Sequence, residues 1–370
     1  MPISPMDEFL AHQTPETFDH VATSDRNFYD RYYFNLHASS DEIFLVTGMG
    51  QYPNLEVIDG FVTISHGDRQ YTVRASRELG GDRLDTSVGP FTVEVIEGLK
   101  TLRLTCEPNE WGLAFDLVWR GATPALEEPV TFSRRGARVT MHTSRYAQVG
   151  CWEGTLEVAS QHYDVTPDRW HGARDHSWGV RPVGEPEAPG IGIKPYLSGE
   201  FGFFHNWMPM QFDDHMIKVS IDEDADGNRM VEEAVRIYNV GDDRPEDQLG
   251  RPEVAIDYIP GTREMARAEV TFSDGPSITN TPLRTVFLKA GSGYFYDEEW
   301  GHGAYRGPLE VQGLVHDIGS PAERRDIADL CETLCRFDLE TGQVGYGMHE
   351  NMCLGTHHPT GFHTPDAAAP

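Results

Sequence analysis

The chain has 370 residues, of which 59 are acidic and 30 basic, giving a formal net charge of −29; 39% of the residues are hydrophobic. That length exceeds one ordinary hydrophobic core, so two domains are expected, and the charge excludes a protein built to hold nucleic acid or an anionic membrane surface. No run of about 18 apolar residues is present, which excludes a transmembrane helix. The five cysteines are odd in number and scattered, which argues for a reducing, cytoplasmic setting.

Residues 1–26 are polar, carry Pro2, Pro5 and Pro15, and lack the basic start and apolar run of a signal peptide. They read as a surface arm. Strand signals begin at 28–36, where Tyr33, Asn35 and His37 alternate with Tyr32, Phe34 and Leu36. Further strands are predicted at 43–47, 60–65, 70–75, 91–96, 100–107, 111–120, 139–144 and 154–160, with 48–55 as a Gly/Pro/Asn break. Turn signals recur every 8–12 residues or so, the rhythm of an antiparallel meander. An all-β first domain over 27–182 follows, of barrel or sandwich type.

Residues 183–199 form a Pro/Gly-rich linker. A second β-domain is expected over 200–363. Its first strand, 200–208, puts Phe201, Phe203, His205 and Trp207 on one face, and 215–221 with 231–240 forms a hairpin. Other strands are predicted at 254–258, 266–272, 283–290, 309–316 and 343–353. Ser320-Pro321-Ala322-Glu323 is a capping box with proline at the first helical position; Ile327, Leu330 and Leu334 extend that helix at helical spacing. The tail, 364–370, reads as disordered. The aromatic openings Tyr32–Asn35 and Phe203–Trp207 echo each other, as an internal duplication would.

Two metal-like patterns lose to simpler readings. Asp222, Asp224, Asp226, Gly227 and Glu233 have calcium-loop spacing, but strands rather than helices flank them, which makes the stretch a hairpin turn. Cys331, Cys335, Cys353, His349, His357 and His358 cluster near the C-terminus without the tight pairs of a zinc site. There is no Walker loop, no Gly-rich dinucleotide turn and no nucleophile elbow. No cofactor and no metal are therefore expected.

The densest polar stretch is 172–181, at the middle of the chain. As a strand it shows Arg174, His176 and Trp178 on one face and Asp175 and Ser177 on the other. A histidine beside a tryptophan suits general acid or base work. The competing reading is an Arg–Asp pair pinning a domain junction. His205 and Trp207, Tyr33, and Glu350 on a Gly-punctuated strand are candidates to converge with it.

The opening strand from Phe28 to Asn35, the central Arg174-Asp175-His176-Ser177-Trp178-Gly179 and the strand 345–350 together resemble the carotenoid 1,2-hydratase and AttH-like group, over about residues 27–363. That resemblance implies two tandem lipocalin-like antiparallel β-barrels with a site near their junction. The group is distantly similar to tocopherol cyclases and fungal Diels–Alderases. His176-Ser177-Trp178 matches the hydratases' H-x-W element. Their Tyr-x-Asp element has Phe203-Phe204-His205 as its nearest counterpart, without the phenol or the carboxylate; Asp213 and Asp214 follow a little further on.

The expected protein is a cofactor-independent lyase, isomerase or cyclase that hydrates, cyclises or isomerises a hydrophobic isoprenoid- or polyketide-like molecule. His176, Asp175 and His205 are its catalytic candidates, with Asp175 orienting His176. Trp178, Trp207, Phe203, Tyr33 and Glu350 line the substrate, and Arg174 and Arg181 hold the junction. The alternative is a non-catalytic lipid or terpenoid carrier.

Overall fold

The computed structural model describes residues 3–183, 201–294, 300–328 and 330–370. The expected linker therefore lies, apart from Val183, outside the described residues. In chain order the strands are β1 (Phe28–His37), β2 (Ile43–Tyr52), β3 (Val57–His66), β4 (Arg69–Glu78), β5 (Ser87–Val88), β6 (Phe91–Glu97), β7 (Thr101–Cys106), β8 (Leu113–Gly121), β9 (Leu126–Glu127), β10 (Thr131–Arg135), β11 (Arg138–Val158), β12 (Gln161–Val165) and β13 (His171–Val180). Then come β14 (Gly202–Gln211), β15 (His215–Asp224), β16 (Arg229–Tyr238), β17 (Asp247–Gln248), β18 (Pro252–Tyr258), β19 (Met265–Phe272), β20 (Ile278–Phe287), β21 (Leu309–Asp317), helix α1 (Pro321–Ile327), β22 (Leu330–Leu339) and β23 (Val344–Gly355).

These strands form two antiparallel, barrel-like sheets. The first runs β21-β4-β3-β2-β1-β13-β11-β8-β7-β6-β5, and the second β17-β16-β15-β14-β23-β22-β20-β19-β18. In each, the opening strand lies between its hairpin partner and the closing strand: β1 between β2 and β13, β14 between β15 and β23. The aromatic echo in the sequence thus marks equivalent positions in two copies of one topology.

Three apolar clusters hold the architecture. Phe34, Leu36, Leu45, Trp119 and Trp152 fill the first barrel. Met208, Ile217, Val219 and Phe337 fill the second. Tyr33, Phe44, Val46, Trp207, Leu334 and Met348 lie between the sheets. β2 is buried at every position because one face lines the barrel and the other meets the second sheet. Each such side chain stabilises by about 1.5–3 kcal/mol on full burial.

Several expectations change. β2 runs through the predicted break to Tyr52, because Gly48 and Gly50 make room for side chains. A Cβ on Gly48 would lie 2.9 Å from Arg31 Nη2, and one on Gly50 2.6 Å from the Tyr52 hydroxyl. β11 is one strand of 21 residues where two were expected. Gly154 bends it at φ 137°, with the Asp116 carbonyl 2.0 Å from where a Cβ would stand. β21 pairs with β4 of the first sheet, although it was expected in the second domain. The helix stops at Ile327; Leu330 and Leu334 share a face of β22 instead, since a spacing of four suits both periods. The C-terminal tail is held rather than loose: Arg263 donates to the carbonyls of Thr364, Pro365 and Ala367. The calcium-like stretch forms the β15–β16 hairpin, its Asp224 bonding Asn228 across the turn.

Candidate functional site

Strand alternation decides which side chains meet. β1 and β13 pair Tyr32 with His176, Tyr33 with Asp175 and Phe34 with Arg174. Tyr33 belongs to the cluster between the sheets and Phe34 to the first barrel. Asp175 therefore faces the junction, while Arg174, His176 and Trp178 face the barrel. The expected trio does not form. Asp175 cannot orient His176 from the opposite face, and His205 lies across the junction from the strand that carries both.

The junction collects polar groups from both sheets. β14 and β23 place Trp207 beside Glu350, β14 and β15 place His205 beside Asp222, and β22 and β23 place Glu332 beside Glu350. From the first sheet come Tyr33, Asp175, Arg145 and Glu128. The Tyr33 hydroxyl donates to Glu332 in a short bond, lies 3.0 Å from the sulfur of Met348, and accepts from Asn35 at 3.3 Å. Trp207 Nε1 donates to Glu128 at 2.8 Å, with its ring edge-on to Tyr33 and beneath the Arg145 guanidinium. Arg145 and the fully buried Lys218 both meet Glu128, at 2.6 and 3.2 Å.

Burial drives these groups apart in acidity. It raises the half-buried Asp175 to about 6, assisted by the charges of Glu128 and Glu350 and opposed by Arg145 and Arg181. It raises Glu332 well above the usual range, with Glu350 and Asp175 adding to the effect and the Tyr33 bond opposing it. Burial would also raise Glu128, but Arg145, Lys218 and Trp207 bring it down to about 2. His205 goes the other way. Burial disfavours its charge, yet Asp222 at 2.5 Å on Nδ1 and Glu350 at 3.6 Å from Nε2 raise it to about 10. It is thus a fixed imidazolium, stacked on the half-buried Phe203 at 5.8 Å, and no base near neutral pH. The junction thus sets Asp175 and Glu332, acids raised by burial, beside Glu128, an acid held down by its cations, and acids of different strength side by side are what acid–base chemistry uses.

Of the expected junction pins, Arg181 is there, over the rings of Tyr29 and Tyr294. Arg174 is not; it is buried in the first barrel between Phe34 and Tyr146. His176 bonds Asp30 at 2.7 Å and Tyr146 at 3.2 Å at the barrel mouth, where Trp178 is 40% exposed. A phenol, Tyr33, stands edge-on to Trp207, and a carboxylate, Asp222, bonds His205. Asp214 instead pairs with His215 and Arg244 at the surface. Among the described residues no three His, Cys, Asp or Glu side chains are grouped to hold a metal ion. His349 lies between Asn280 and Asn206, and His357 bonds Glu223.

A separate cavity of about 500 Å³ opens in the second barrel, lined by Phe204, Ile221, Arg229, Ile256, Tyr258 and His357 among others. It lies where Arg229, rather than a strand ladder, joins β16 to β18, through Pro252 and Glu253.

Two antiparallel, barrel-like sheets in tandem, packed over a charged junction, define the class of protein. The chain belongs to a family of unknown function (DUF8625), whose model matches residues 3–363. No curated protein matches the chain. Among solved structures it is similar to a candidate AttH from Nitrosomonas europaea, at 12% identity over 90% of this chain and 94% of that one, with a TM-score of 0.54. A kievitone hydratase from Nectria haematococca aligns at 13% identity over 91% and 90% of the two chains, with a TM-score of 0.46. The first likeness gives the chain an AttH-like fold.

Proposed function

We propose that the junction is the active site of a cofactor-independent enzyme that protonates an unsaturated, hydrophobic small molecule, with hydration, cyclisation or isomerisation as the outcome. The observation that carries this reading is Asp175, an acid raised to about 6 that shares the junction with Glu332 and Glu350. An acid near neutrality can both give and regain a proton. Asp175 delivers the proton to a carbon–carbon double bond. Tyr33, Trp207 and Phe203 provide aromatic walls for the cation that forms. Glu350, fixed by His205, takes a proton from the attacking water in hydration, or from a carbon next to the cation in isomerisation and, after ring closure, in cyclisation. Each route balances: one proton enters the substrate and one leaves.

The apolar and aromatic side chains around the acids support a hydrophobic substrate, and the AttH-like fold is the support for an isoprenoid- or polyketide-like one. The second-barrel cavity, whose lining includes none of these acids, favours a second reading, a carrier of apolar molecules. One experiment separates them. Apolar extract of the producing cells is incubated with the protein in D2O and searched by mass spectrometry for carbon-bound deuterium. Wild type is expected to label one compound and Asp175→Asn to label none. Binding of a compound without labelling supports the carrier. Equal labelling by Asp175→Asn removes Asp175 as the acid.

A further inference from the structure

We propose that the mouth of the first barrel is a binding site for a small planar organic anion, most simply an aromatic carboxylate, with Arg174 as its counter-charge. This site is on the opposite face of β1 and β13 from the junction and does not depend on the reaction proposed there.

The inference starts from how buried arginines are satisfied elsewhere in this molecule. Arg31 meets Asp59 at 3.3 Å, although its Nε and Nη2 find no acceptor among the described residues, and Arg145 meets Glu128 at 2.6 Å. Arg263 donates to backbone carbonyls, including those of Cys353, Gly355 and Ala367. Arg174 has neither solution. It is 1% exposed, and its one hydrogen bond runs from Nη2 to the Tyr146 hydroxyl. Among the described residues Nε and Nη1 have no partner, and no carboxylate lies within ion-pair distance. Asp175, next in sequence, points to the other face. A buried guanidinium without a counter-ion is costly, and so are two buried N–H donors without an acceptor. An anion supplies both.

The surroundings fit such a ligand. The guanidinium is flanked by the rings of Phe34 and Tyr146, at 5.6 and 5.1 Å. At the rim stand His176, Tyr32 and Trp178, and Trp178 leaves an indole 40% exposed, edge-on to His176 and Tyr146. Asp30 is the rim's carboxylate. It is already held by His176 at 2.7 Å and Arg83 at 3.5 Å, so it does not compete for Arg174. The result is a guanidinium among aromatic side chains at the barrel mouth, in a chain of net charge −29. A carboxylate entering past Tyr146 can accept from Nη1–H at the end of the guanidinium, and the hydroxyl of Tyr146, 3.2 Å from His176 Nδ1, can turn to it as a second donor.

The test titrates the full-length protein with benzoate, and with benzamide as the uncharged control, following ligand line broadening by NMR. Wild type is expected to bind benzoate and not benzamide. Arg174→Gln weakens benzoate about tenfold or more, and Trp178→Ala weakens it through the exposed rim, where folding tolerates the change. A second readout is the melting temperature. Without ligand, Arg174→Met melts above wild type, because a buried unpaired charge is gone. Millimolar benzoate raises wild type but not Arg174→Met. A structural arginine gives the reverse: Arg174→Met melts lower or fails to fold, and benzoate moves neither protein. That result overturns the proposal, as does equal binding of benzoate and benzamide, or benzoate binding unchanged in Trp178→Ala.

Discussion

If Asp175 is an acid held proton-bearing by its surroundings, the folded protein pays for ionising it, and Asp175→Asn should be more stable than wild type above pH 6. The magnitude follows from linkage. Folding raises the carboxyl from 3.8 to about 6, which corresponds to about 3 kcal/mol if fully expressed. Asp175 is only half-buried, so water reduces this to about 1–3 kcal/mol. The sign is fixed by proton counting. Between 3.8 and about 6 the folded state binds more protons than the unfolded state, so stability from this group is complete below 3.8 and declines as pH rises through 6. Asparagine keeps the shape and removes the titration. The assay is thermal unfolding of both proteins at pH 4.5 and 7.5. At pH 7.5 the variant should melt about 2–6 °C above wild type, and the gap should shrink at pH 4.5. The outcome that refutes the reasoning is a variant less stable at pH 7.5. Asp175 would then be an ionised partner of Arg145, and the case for it as the junction acid would fall with it.

Glu128 is the contrasting case. It is 5% exposed and brought down to about 2 by Arg145, Lys218 and Trp207. Glu128→Gln removes the carboxylate from the part-exposed Arg145 and leaves the buried Lys218 with Glu233 alone, at 2.6 Å, and should destabilise by about 1–3 kcal/mol, measurable by urea denaturation at pH 7. The stability Glu128 contributes is present above its usual 4.5 and lost as pH falls toward 2, so the variant's deficit should narrow in acid. Arg263→Ala removes the donors that hold the C-terminal tail. Limited proteolysis should then release the last residues faster than in wild type, with the rest of the chain equally resistant.

Much of the fold could be read from the sequence because period two is a strong signal. Tyr32–Leu36, the 215–238 hairpin and the strand carrying Glu350 all fell where alternation put them. The errors have one physical origin, small or ambiguous residues. Gly48, Gly50, Gly150 and Gly154 look like breaks but serve close approach within strands. That hid the continuity of β11, and with it Arg145. Leu330 and Leu334 fit either period, so their spacing places Glu332 in a helix, whereas it belongs on the junction face of β22. Asp222 was absorbed by a calcium-like pattern, although its partner proved to be His205. The two faces of 174–178 were legible, but which face met the second sheet was not, because that depends on packing between domains.

That ambiguity also explains why 172–181 stands out. A strand with one functional face alternates polar with apolar residues. β13 carries Arg174, Asp175, His176 and Ser177 in succession, and no apolar face remains. Pairing with β1 on one side and β11 on the other satisfies its backbone and leaves every side chain free for one of two environments. One is the barrel mouth, where a guanidinium lacks a counter-ion; the other is the junction, where carboxyls exceed their usual range. Consecutive polar residues on this central strand therefore face two polar environments back to back. Because sheet backbone separates them, substitutions at Arg174 and Asp175 should act nearly additively, apart from the charge–charge effect across the sheet that the pair already shows.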